Sequence, residues 1–170
     1  MTSRLKAANH EAGHIIMVLH LAECTRSIGK RFEYAYIADV GAKGGAVVGY
    51  APCSGEHNIL VATAGLAGER VARMRPGTFN FYQGRWGDWI AAQSECEEAG
   101  MFDESSHWYI DRSYRLAWGI IKQYKQIHSK IVAILLKHGR IDYATALAIW
   151  EKARKTSRLR SHRVRRGKRV

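Results

Sequence analysis

The sequence predicts a mainly α domain of the α+β class, with one small β-hairpin or sheet near residues 33–52. Three observations carry that expectation. Apolar residues recur at helical spacing in long segments, at 4–23, 56–74 and 108–137. One segment between them, EYAYIADVGAKGGAVVGYAP at 33–52, changes character: its Tyr and Val residues favour strands, and its glycines mark a turn. Glycine and proline then punctuate the chain where helices should stop, at Pro76-Gly77 and Gly139.

The elements follow in order. Residues 4–23 make the first helix, and Ala7, Ala8, Ile15, Ile16, Val18, Leu19 and Leu21 give it the apolar surround of a buried helix. Gly13 lies inside it, where glycine costs about 1 kcal/mol relative to alanine. A second backbone is therefore expected to pack closely there. Tyr34, Tyr36 and Val40 suit one strand and Val47, Val48 and Tyr50 another, with Pro52 ending the second because it removes a ladder donor. Residues 56–74 form a helix whose Ala64, Gly65, Ala67 and Gly68 make a small face for close packing. An irregular loop over 77–86 precedes a helix near 88–101 that Asp88 or a neighbour opens. A single amphipathic helix is expected over 108–137, with Gly139 as its C-cap, and Asp142 is the N-cap of a last helix over 143–155.

A chain of 170 residues suits one domain with a sizeable core, expected over 1–151. The net charge of +12 is not spread evenly. Residues 152–170, KARKTSRLRSHRVRRGKRV, hold 10 Lys and Arg and no acid, leaving 17 basic and 15 acidic side chains in the rest. That basic tail is expected to be solvated and disordered past Ser157. It offers attraction to nucleic acid or an acidic partner, without base stacking because it has no aromatic residue. Cys24, Cys53 and Cys96 are scattered and odd in number, which fits a reducing compartment. No apolar run is long enough to span a membrane and no secretory leader is visible, so a cytoplasmic setting is expected.

The chemistry concentrates in NHEAGHIIMVLHL at 9–21. His10, Glu11 and His14 stand in H-E-x-x-H spacing. Positions four apart share one helix face, so His10 and His14 can aim two imidazoles at one metal. Glu11 lies about 100° further round, beside the metal rather than under it. Hydrolytic zinc sites use three protein ligands and an open position for water, with a nearby carboxylate as base. The motif thus supplies two ligands and a base, and lacks one ligand.

Three residues compete for that third place. His20 has metzincin spacing, but Met17 stands where that pattern needs glycine. On a continuous helix His20 is about 240° round from His14 and cannot reach the same metal. Glu69, in AGLAGERVA, is a ligand or an acceptor for the far N–H of a ligand histidine if it faces inward, and otherwise a solvated carboxylate paired with Arg73. Asp88, in GRWGDWIAAQ, is a ligand or merely a cap. The remaining histidines, at 57, 107, 128, 138 and 162, form no ligand spacing and read as surface or structural. Trp86 and Trp89 read as packing residues that can also line a substrate pocket.

HEAGH at 10–14, then GGAVVGYAP, AGLAGERVA and GDWIAAQSECEEA, in that order, resemble the peptidase domain of the FtsH family of AAA+ zinc proteases. HGRID at 138–142 is similar to that family's terminal turn, and the resemblance spans roughly residues 5–151. It implies Zn2+ held by His10, His14 and Asp88, with Glu11 as general base and Glu69 as hydrogen-bond partner of the metal site. Val47, Val48, Gly49 and Tyr50 match the edge where extended substrate pairs by β-augmentation. The implied activity is a zinc metalloendopeptidase acting on unfolded or extended polypeptide. A homo-oligomer is a further expectation, since the family assembles in rings. The expected departures from the family are the lack of an ATPase module, Arg70 in place of the second Glu of A-E-E, and tryptophans flanking Asp88. These departures leave room for a non-catalytic zinc-, nucleic-acid- or partner-binding module of the same fold, or a regulatory protease of one specific protein.

Overall fold

The computed structural model describes residues 3–24, 32–38, 45–49, 55–72 and 86–166. Within them the chain is mainly helical with one three-stranded antiparallel sheet, the class expected from the sequence. The order is α1 (Ser3–Cys24), β1 (Tyr34–Ile37), β2 (Gly45–Val48), α2 (Gly55–Val71), α3 (Trp86–Glu98), α4 (Glu104–Gln123), α5 (Lys125–His138), β3 (Arg140–Asp142) and α6 (Tyr143–Arg166). None of these helices is long and apolar enough to cross a membrane.

Helix α1 is the centre of the core. Ala8, Ala12, Ile15, Ile16, Met17, Val18, Leu19 and Leu21 are all buried, as expected of a helix that is apolar on most sides. Its partner is α2, and glycine sets their distance. A Cβ on Gly13 would lie 2.9 Å from the Ala64 carbonyl carbon and 3.2 Å from Gly68 Cα. A Cβ on Gly68 would meet Gly13 Cα at 2.9 Å. The two backbones touch where the small residues of each face the other, which is why a glycine in the middle of α1 is tolerated.

The expected hairpin is present. Strands β1 and β2 pair antiparallel from Tyr34↔Val48 to Ile37↔Gly45. The third strand was not expected: β3 pairs with the other side of β1, from Tyr34↔Asp142 to Tyr36↔Arg140. Three residues between two helices carry no strand periodicity, and only the presence of β1 beside them makes them a strand. The sheet order β2-β1-β3 leaves β2 at an edge. Ala35, Ile37 and Ile141 face the core, and Tyr36 faces outward.

The expected single helix over 108–137 is two helices. Tyr124 leaves helical geometry at φ −101° and ψ 22° and separates α4 from α5. Its carbonyl accepts from the N–H groups of Ile127 and His128, both at 2.9 Å, while its ring packs on Trp150 at a tilt of 43° with centroids 4.4 Å apart. The break is fixed by that tertiary contact, so hydrophobic periodicity does not register it. Gly139 is the expected C-cap, at φ 72° with its N–H bonded to the Leu135 carbonyl at 2.8 Å. Asp142 caps α6 through a 2.7 Å bond from the Thr145 N–H to its Oδ1. Helix α6 does not stop near 155: its backbone is helical through Arg166, into the segment for which composition predicts disorder. The sequence offers no glycine or proline between Tyr143 and Gly167, and Lys and Arg are good helix formers.

A second, smaller cluster joins α2, α3 and α4 through Ile59, Ala62, Ala92, Cys96 and Ile110. With the Asn58 amide donating to Glu95 Oε1 at 2.7 Å, it fixes α3 against α2. The first turn of α3 is thereby held over the HEAGH face of α1.

Candidate metal centre

His10 and His14 project from the same face of α1, with ring centroids 4.8 Å apart and planes at 77°. Asp88, in the first turn of α3, comes to both of them. Its Oδ2 lies 2.8 Å from His10 Nε2 and 3.3 Å from His14 Nε2. One ligand atom from each residue falls within 4.8 Å of the others, a grouping that can hold a metal ion. The structure therefore brings Asp88, and not His20 or Glu69, to the Nε2 atoms of the two HEAGH histidines.

The far nitrogen of each imidazole is held separately. His10 Nδ1 donates to Glu69 Oε1 at 3.0 Å, and His14 Nδ1 donates to the Val61 carbonyl at 2.7 Å. Both acceptors belong to α2, and Glu69 is 1% exposed. With Nδ1 carrying the hydrogen, the neutral imidazole presents a lone pair at Nε2. In the neutral form two such lone pairs and a carboxylate oxygen would face one another, an arrangement that either a cation held between them or a proton on Nε2 donated to Asp88 makes favourable. Gly65 makes room for it: a Cβ there would lie 2.6 Å from His14 Nε2 and collide with His10 as well.

The electrostatics agree. Burial works against a charged His10, but hydrogen bonds to Asp88 and Glu69 outweigh it and lift the pKa from 6.5 to about 10. His14 is likewise buried, and Asp88 raises it above the ordinary histidine value. Burial would raise Asp88, yet the two histidines hold its carboxyl far below the usual carboxylate range. All three shifts express one property, a small buried volume that draws in cationic charge.

Glu11 is 4% exposed and stands between this cluster and the sheet. A Cβ on Gly45 would lie 3.0 Å from Glu11 Oε1, so the carboxyl rests against the edge strand β2. Burial raises the Glu11 pKa, with His14 and His10 opposing the rise. Val47 faces inward beside Ala35 and packs on the core, while Val48 sits opposite Tyr34. Gly49 turns the chain at φ 70° after the strand, and Tyr50 lies outside the described residues, as does Cys53.

His20 is placed elsewhere, with its Nδ1 3.4 Å from the Tyr124 hydroxyl and its Nε2 3.6 Å from Cys24 Sγ. His128 proves buried and structural, donating from Nε2 to the Asn9 carbonyl at 3.1 Å. Trp89 packs on the smaller cluster and edge-on against His107, with centroids 5.4 Å apart. Arg70 lays its guanidinium over the Trp118 ring at 4.1 Å, so this departure from the A-E-E pattern ties α2 to α4.

Two participants were not singled out from sequence. Lys6 Nζ lies 3.7 Å from Glu69 Oε2, and its signal was available: it stands four residues before His10 on the same helix face. The Val61 carbonyl carried no signal, because every residue has one. Compared with known protein families and with curated proteins, the chain matches none.

Proposed function

We propose that this chain is a zinc metallopeptidase resembling the peptidase domain of the FtsH family, acting on extended polypeptide. One observation carries the reading: His10 Nε2, His14 Nε2 and Asp88 Oδ2 converge while Glu69 and Val61 hold the opposite nitrogen of each imidazole. The donor set fits zinc, which takes nitrogen and carboxylate ligands and keeps a fourth position open when hydrolytic. Two histidines and a carboxylate also suit ferrous iron. The buried carboxyl of Glu11 beside them favours hydrolysis, which needs a base at that place.

When bound, zinc supplies Lewis acidity, lowering the pKa of a water and polarising a carbonyl. The chain's own residues do the rest. His10, His14 and Asp88 hold the ion. Glu11, with a pKa raised by burial, accepts the proton of the attacking water and returns it to the leaving amine. The outer edge of β2, which pairs with no other strand among the described residues and against which Glu11 rests, offers backbone groups to an extended peptide.

The test combines metal content by mass spectrometry with cleavage of casein. The expected result is one zinc per chain, lost in His14→Ala and Asp88→Ala and kept in Glu11→Gln and Glu69→Gln. Casein cleavage should disappear in Glu11→Gln. A well-folded protein without metal, or a Glu11→Gln protein that cleaves at the wild-type rate, overturns the reading.

A further inference from the structure

Away from the metal centre, three reactive side chains meet at the end of α1. Cys24, the last residue of that helix, is exposed. His20 stands four residues before it, so the two share one face. Cys24 Sγ lies 3.6 Å from His20 Nε2. The other imidazole nitrogen, Nδ1, lies 3.4 Å from the Tyr124 hydroxyl. Tyr124 is itself held in place, because its ring packs on Trp150 and the Trp150 indole donates to Glu23 Oε2 at 3.1 Å. A nucleophile, a base within its reach and a third group that orients the base are the parts of an activated thiol.

The protons follow from the partners. An ordinary thiol keeps its proton at neutral pH, only a few per cent being thiolate. The Cys24 S–H therefore donates to Nε2, and Nδ1–H donates to the Tyr124 oxygen. Burial and the nearby charge of Arg154 lower the His20 pKa below 6.5. At neutral pH the imidazole is thus uncharged and offers the thiol a lone pair.

We infer that Cys24 is a second reactive centre, a thiol oxidised by hydroperoxides with His20 as its base and acid. Nε2 takes the thiol proton while a sulfur lone pair attacks one peroxide oxygen. The S–O bond forms as the O–O bond breaks. Sulfur gives up two electrons and becomes a sulfenic acid. The second peroxide oxygen leaves as hydroxide, which takes the proton from Nε2 and departs as water. The Tyr124 oxygen accepts from Nδ1–H throughout and steadies the imidazolium. The position selects this chemistry over acyl transfer. An acyl transfer builds an oxyanion, which the negative end of a helix dipole opposes. The hydroxide of peroxide cleavage is neutralised at once by the imidazolium, and a hydroperoxide is small enough to reach an exposed thiol without a pocket.

The experiment treats the full chain with hydrogen peroxide at pH 7 in the presence of dimedone, which traps sulfenic acids, and follows each cysteine by peptide mass spectrometry. A base that relieves the shortage of thiolate is worth up to about 30-fold. Cys24 should accordingly be labelled about 10-fold faster than N-acetylcysteine. The buried Cys96 should stay unlabelled, which also reports that each variant remains packed. His20→Gln should slow Cys24 labelling by about 10-fold. Tyr124→Phe, which keeps the ring on Trp150, should slow it less. Added imidazole should restore the rate in His20→Ala, which a merely structural role of His20 would not allow. Equal Cys24 rates in the wild type and His20→Gln, or a wild-type rate no higher than that of N-acetylcysteine, overturns the inference. Its outcome is independent of whether the metal centre is catalytic.

Discussion

Glu69 Oε1 lies 3.0 Å from His10 Nδ1, joining α2 to the first histidine of HEAGH through a carboxylate that is almost wholly buried. The Lys6 ammonium lies 3.7 Å from the other oxygen of the same carboxylate. Such a partner orients a ligand imidazole and raises its basicity. Glu69→Gln keeps an acceptor but removes the charge. Zinc affinity, measured by competition with a chromogenic chelator, should fall by about 10-fold to 100-fold while stoichiometry at saturation stays at one. An unchanged affinity would mean that the carboxylate does not act through His10.

Two glycines on the α1–α2 contact should fail differently. A Cβ at Gly65 meets the Nε2 end of His14 at 2.6 Å, so Gly65→Ala should displace the imidazoles and abolish stoichiometric metal binding. A Cβ at Gly13 meets backbone instead, 2.9 Å from the Ala64 carbonyl carbon. Gly13→Ala should therefore push the helices apart and destabilise the fold by about 1–3 kcal/mol. Metal content and urea denaturation of both variants separate the two effects.

The metal-free protein should show a distinct pH dependence. Asp88 and Glu69 hold the His10 pKa at about 10 against an ordinary 6.5. A raised folded-state pKa contributes stability that is fully present below 6.5 and is lost as pH rises through about 10. The thermal midpoint of EDTA-treated protein should fall across that interval, and that of zinc-loaded protein should not fall for this reason. Because His10 must lose its proton to bind metal, zinc uptake near neutral pH should release at least one proton. Calorimetry in buffers of different ionisation enthalpy reads that number.

The N-cap of α6 gives a control far from the metal. Asp142 accepts the Thr145 N–H, and this bond holds its carboxyl below the ordinary 3.8. The contribution is present above that value and lost as pH falls through the depressed one. Asp142→Ala should cost about 1 kcal/mol in chemical denaturation and leave metal content intact. A loss of metal in this variant would show that the two ends of the molecule are coupled.

The sequence by itself determined the helical character of the chain, the hairpin, and two terminal signals, Gly139 and Asp142. These depend on interactions between near neighbours, which local spacing records. It also placed His10 and His14 on one face, because four residues make about one helical turn. The small face at 64–68 announced a close helix contact for the same reason, since a missing side chain is visible in sequence. Tertiary structure decided the rest. Tyr124 breaks a continuous apolar pattern because Trp150 holds its ring, and residues 140–142 become a strand because β1 lies beside them. Asp88 stands 78 positions from His10, and nothing local distinguishes a cap from a ligand until the packing of α3 on α2 carries it to 2.8 Å. The Val61 carbonyl that orients His14 is invisible in any sequence, since a backbone acceptor takes its role from what is folded against it.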